Sequence, residues 1–169
     1  MNSIEIFGIQ FLLSLVGFSM VAKVYVAPRI ATLPLHEALL PLVCVHAFRH
    51  VGLVFLVHAV VAPTLSPVFA LSAAYGDLLA GLLSLLTIFA LRARWRGALA
   101  LTWLFNVVGT LDLLNAFYQG IRHQVPPHLG SAWYIPTVAV PALLVSHGMI
   151  FARLARRRPE RAFPRELAT

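Results

Sequence analysis

Apolar residues gather in five stretches, each with about the 20 residues a helix needs to cross a bilayer core, separated by short segments rich in proline, glycine and basic residues. The stretches run over Ile4–Tyr25, Leu35–Val61, Pro67–Leu91, Leu99–Gln119 and Ala132–Leu154. This pattern predicts an all-α integral membrane protein, a bundle of five transmembrane helices within residues 1–155, followed by a basic tail over 156–169. Pro28 and Pro34 bracket the first expected loop. Ser66 precedes Pro67 as an N-cap would precede proline at the first helical position. Gly120 stands where a left-handed residue ends the fourth helix, and Ser131 where a cap opens the fifth. The connections are short, so successive helices are expected to be antiparallel neighbours.

Composition narrows the class further. Hydrophobic residues make up 60% of the chain and charged residues 11%, with a mean hydropathy of +0.85, values outside those of water-soluble domains. The first stretch lacks a basic flank and a small-residue cleavage site, so it reads as a span rather than a leader. The one cysteine, Cys44, excludes an intramolecular disulfide and a CxxC site, and is expected to be a small buried hydrophobe.

A formal charge of +7 would point to nucleic acid in a soluble protein; here the basic residues cluster at the ends of the spans, and no nucleic acid partner is expected. Lys23 and Arg29 flank the first loop, Arg92, Arg94 and Arg96 fill the third, and Arg153, Arg156, Arg157, Arg158, Arg161 and Arg165 follow the fifth span. The second loop carries no charge, and the fourth only Arg122 with His123 and His128. Alternate loops are therefore basic, which puts the N-terminus outside and the C-terminus in the cytoplasm, as in a bacterial inner membrane. The tail is also a candidate binder of anionic lipid. Trp133, Tyr134 and Tyr118 suit the outer interface, and Trp95, Trp103 and Tyr25 the inner one.

Against this apolar background the polar residues stand out. A charge at the centre of a spanning helix costs about 2.5–3.5 kcal/mol on insertion scales, so an intramembrane ionisable group is a functional candidate. His46, Arg49 and His50 fall at i, i+3 and i+4 and are expected to share one face of the second helix, with Phe55 turned the opposite way. Asp77 lies at the depth of Arg49 on a third helix carrying Ala70, Ala73, Ala74, Gly76, Ala80, Gly81 and Ser84, small residues that permit close helix packing and hence an Arg49–Asp77 ion pair. On the fourth helix Asn106, Gly109, Asp112 and Asn115 form a staircase at three-residue spacing, with Thr110 beside it, and Asp112 and Asn115 are expected at the outer mouth. On the fifth helix Pro141 is expected to kink the backbone and free the Thr137 carbonyl, near Ser146 and His147.

These residues define four functional readings. The first is a binding or transport module whose cavity is lined by His46, Arg49, His50, Asp77, Asn106, Asp112, Asn115 and His147. Arg49 would anchor an anionic or carbonyl group of a small ligand and a histidine would carry a proton, within a homo-oligomer or larger membrane complex. The second is a subunit that binds haem b between His46 or His50 and His147. A bare metal site is not expected, because no HExxH follows and Arg49 stands between the two histidines. The third is an enzyme acting on a lipid or quinone-like substrate, for which no nucleophile elbow, P-loop or paired catalytic carboxylate at motif spacing is present. The fourth is an accessory subunit whose polar groups only join helices.

Overall fold

A computed structural model describes residues 2–156, of which 85% are helical, with no strand among them. Five helices are long and apolar enough to cross a membrane: α1 (Ser3–Ala31), α2 (Leu35–Leu56), α3 (Pro67–Arg92), α4 (Ala98–Arg122) and α5 (Gly130–Ala155). The expected basic residues Arg157, Arg158, Arg161 and Arg165 lie outside the described residues.

Two helices continue past a proline with a widened turn beside it. In α1 the turn Ala22–Val26 is a π-helix, and the chain continues as α-helix over Ala27–Ala31, so Pro28 lies inside the helix and does not open the loop. In α5 a π-helical turn, Ile135–Ala139, precedes Pro141 and is closed by the Val140 N–H donating to the Ile135 carbonyl. Proline cannot donate to the four-residue ladder, and an extra residue in the turn ahead of it re-registers the hydrogen bonds. The turn that contains Thr137, ahead of Pro141, is thus a widened one. Left-handed backbone falls at Arg94 (φ 52°), at Gln124 (φ 49°), beyond the end of α4, and at Gly130 (φ 52°), not at Gly120, which stays helical. The Ser131 N–H donates to the Val60 carbonyl at 3.0 Å, tying the start of α5 to the loop after α2.

The largest departure from expectation is in α2. It is α-helical over Leu35–Cys44, then 3-10 helical for the twelve residues Val45–Leu56, and ends five residues before Val61. With three residues per turn, every third side chain is eclipsed. His46, Arg49, Gly52 and Phe55 accordingly form one straight buried stripe. In an α-helix each step of three would rotate by about 60°, carrying Phe55 half a turn from His46. Phe55 is buried on the Arg49 side, and His50, next to Arg49 in sequence, is turned outward and exposed. Where the tighter ladder takes over, the Ser146 hydroxyl donates to the Leu42 carbonyl at 2.8 Å.

The stripe on α2 packs against α3, whose buried face follows the small residues: Ala70, Ala73, Ala74, Ala80, Gly81 and Ser84. Two hydrophobic clusters occupy the two ends of the bundle, one around Leu39, Val43, Ala90, Phe105 and Ile150, the other around Phe55, Phe69, Val125 and Leu129. Arg49 of α2, Asp77 of α3 and Asp112 of α4 fall in the layer between them. Outward faces are apolar, with Leu13, Phe48, Leu79, Phe89 and Leu111 exposed. Cys44 is also exposed rather than buried. The Ser3–Val21 part of α1 buries no residue at all, so this helix leans on the bundle from outside.

Candidate functional site

Arg49 is the hub. Its side chain is 0% exposed, and each nitrogen of its guanidinium has a partner from another helix. Nε donates to Asp77 Oδ1 of α3 at 2.7 Å, Nη1 to the Gly109 carbonyl of α4 at 3.1 Å, and Nη2 to Asp112 Oδ2 of α4. A planar fork with five donors suits this three-way contact, which a lysine could not reproduce. Asp77 was expected beside Arg49 and is there. Asp112 was expected at the mouth and instead completes the cluster. With the two carboxylates and the guanidinium all ionised, the layer carries one uncompensated negative charge.

Glycines make the convergence possible. A Cβ on Gly52 would stand 2.6 Å from the Asp77 Cβ, and one on Gly76 would stand 2.6 Å from the Asp112 Cγ. A Cβ on Gly109 would stand 2.9 Å from His147 Nε2 and 3.2 Å from Arg49 Nη1. These separations are shorter than side chains tolerate, so three helices are stripped to backbone where they face the charges.

Beside the guanidinium lies an imidazole pair. His46 and His147 are 0% and 1% exposed, their ring centroids 4.1 Å apart at 45°, with Phe105 edge-on to His46 at 5.1 Å. Asn106 holds His147 from both sides. Its Nδ2 donates to the His147 carbonyl at 3.2 Å, which fixes the amide orientation, so Oδ1 must accept from His147 Nδ1 at 2.7 Å. His147 is therefore the Nδ1–H tautomer and presents an unprotonated Nε2. That nitrogen and both ring nitrogens of His46 are buried without a partner. Replacing Asn106 with alanine strands the His147 N–H as well, and should cost about 1–3 kcal/mol in detergent unfolding. An unchanged unfolding midpoint would show that Asn106 does not hold the ring.

Other expected members lie elsewhere. His50 faces outward, and its Nδ1 pairs with the Ala47 carbonyl at 3.0 Å. Asn115 is exposed and donates to Ser72 Oγ at 2.9 Å, tying α4 to α3 outside the cluster. The Thr110 hydroxyl bonds back to the Asn106 carbonyl within its own helix rather than across helices. Arg49 is enclosed and engaged, so it does not anchor an anionic or carbonyl group from an open cavity. Nor do the imidazoles fit a haem. Two metal–nitrogen bonds of roughly 2 Å already set the ligating atoms about 4 Å apart and the ring centres farther, whereas the ring centres of His46 and His147 are themselves only 4.1 Å apart. His50 is on another face. Among the described residues no three metal-capable side chains gather.

A cavity of about 520 Å³ opens at the end of the bundle where α1 and α3 begin and α4 ends. Its wall is apolar and includes Phe7, Phe11, Phe55, Phe69 and Phe117, drawn from four helices. Among the described residues Asp77 is the one charged residue that lines it, and Gln124 the one other polar side chain. No pattern in the sequence marks this cavity.

The class defined by these features is an all-α, five-helix protein, apolar enough to cross a membrane, with a charged layer at mid-helix. The chain belongs to the family described as domain of unknown function DUF8737, which matches residues 6–155. None of the curated proteins and none of the solved structures compared with it matches.

Proposed function

We propose that this is an integral protein of the bacterial inner membrane, N-terminus outside and C-terminus cytoplasmic, that binds a proton or small cationic ligand at the Arg49–Asp77–Asp112 layer and helps translocate it within a larger assembly. The observation that carries the reading is the charge count: one buried guanidinium against two carboxylates. Moving an ion out of water costs several kcal/mol even after relaxation, so a net buried charge is held only with a compensating one. A proton or a ligand cation supplies it. The orientation rests on the alternation of basic loops, and the basic tail is a contact for anionic lipid.

Access distinguishes this reading from the accessory-subunit reading, in which the layer only ties helices together. In a Cys44→Ala background, cysteines at Ala73 and Ala116, which line the cavity, should react with small thiol reagents added from the outer side. A cationic reagent should react faster than an anionic one of the same size, because the site is net negative. A cysteine at outward-facing Leu86 serves as the unreactive control. Inertness at both cavity positions would leave the helix tie as the better account.

A further inference from the structure

We propose that the aromatic cavity is a binding site for a hydrophobic monocation, an amphiphile with an apolar body and an amine or quaternary ammonium head, whose charge meets Asp77. The inference rests on the reading of the charged layer above and adds the ligand's chemical class. Three observations carry it.

The first is size and lining. About 520 Å³ lies within the range of sites that enclose drug-sized ligands, and its wall is almost wholly apolar. Five phenylalanines suit a hydrophobic body and add cation–π attraction for a head group near a ring face. The second is the charge at the floor. Among the described residues Asp77 is the one ionisable group that a ligand in the cavity meets. Arg49 engages its Oδ1, while Oδ2 lies over Gly52 with no hydrogen-bond partner among the described residues. Arg49 itself is shielded behind the carboxylates, so an anionic head would face a carboxylate and not the guanidinium. The third is the wall made by α1. Ile4, Phe7, Gly8, Phe11 and Leu12 face the cavity, yet the helix buries no residue over Ser3–Val21, and space remains open around Gly8. A ligand dissolved in the apolar layer of a membrane can enter beside such a helix without first crossing water.

The ligand cation and the compensating proton then compete for one site. The groups facing Asp77 are Arg49 from α2 and Asp112 from α4; His147 of α5 stands beside the guanidinium with the His46 ring against its own, and α1 brings no charge to the cavity. Binding of a permanently charged ammonium should therefore strengthen as pH rises and the proton is surrendered.

The test uses the full chain in nanodiscs of zwitterionic lipid, with empty nanodiscs subtracted, and four probes sharing one alkyl body: decyldimethylamine, decyltrimethylammonium, decanol and decanoate. Both cations should bind roughly tenfold or more tighter than decanol, as expected for a desolvated charge pair, and decanoate should bind worst. Asp77→Asn should bring the cations down to the level of decanol. Ala116→Trp, which fills the cavity and leaves the ion layer intact, should weaken all four probes while Asp112 and Arg49 remain paired. Equal binding of decanol and the amine overturns the inference, as does a cation preference that survives Asp77→Asn. Failure here with thiol access retained at Ala73 and Ala116 would refute the ligand class alone; loss of both would refute the functional reading of the layer.

Discussion

Arg49→Met destabilises the folded protein by about 3–5 kcal/mol, the largest effect expected from any single substitution in the chain, because it strands two buried carboxylates at once. Loss of the guanidinium also leaves the Gly109 carbonyl without its 3.1 Å donor. The cost does not measure what the ion cluster contributes as a whole. Replacing a complete buried charge network with apolar or neutral groups of similar volume is often close to neutral. The triple variant Arg49→Met, Asp77→Asn, Asp112→Asn should therefore regain most of the lost stability, and its unfolding in detergent should resemble that of the parent. A triple variant no more stable than Arg49→Met would show that the damage comes from lost packing, not from unpaired charge.

Gly76→Ala is expected to have the second largest effect, about 1–3 kcal/mol or more, because its Cβ meets the Asp112 carboxylate. That group cannot retreat freely, being held by Arg49 on the far side. Alanine usually stabilises a helix by roughly 1 kcal/mol over glycine, so the sign of the effect decides between propensity and overlap. Combining Gly76→Ala with Asp112→Ala removes the obstruction, and the cost of the glycine substitution should then largely vanish. Gly97, with open space around its Cβ position, is the control at which alanine is harmless. A Gly76→Ala variant as stable as the parent would mean that the helices do not approach as closely as described.

The five helices were legible because their length is dictated by the bilayer, and an uninterrupted apolar run of that length has few other uses. Arg49 and Asp77 were legible as partners because each is an isolated charge at matching depth on neighbouring helices. Asp112 is legible as a residue at the outer mouth but not as a second partner, since its place relative to Arg49 depends on how closely α3 and α4 approach at Gly76 and α2 and α4 at Gly109. In α2, His46, Arg49 and His50 fit an α-helical face, which places His50 in the site and Phe55 outside it, whereas the 3-10 geometry does the reverse. The signal that pointed the other way was the three-residue repeat through His46, Arg49, Gly52 and Phe55. The contact between His46 and His147 is not legible in the sequence, and ring centres 4.1 Å apart leave no room for a haem iron between them. The cavity was illegible for a different reason. Phe7, Phe11, Phe55, Phe69 and Phe117 come from four helices, and each alone is an ordinary apolar residue in an apolar run.

The central claim is that the buried layer holds one compensating positive charge, and the protons released on unfolding test it most directly. At about pH 8 the imidazoles of the unfolded chain are neutral and its aspartates ionised, given ordinary values near 6.5 and 3.9. In buffer free of organic cations, denaturing the nanodisc-purified protein in the presence of a pH-sensitive dye should release one proton per chain. Asp112→Asn leaves one guanidinium against one carboxylate, so that variant should release none. A parent protein that releases no proton, or one that releases as many as the Asp112→Asn variant, would contradict the account.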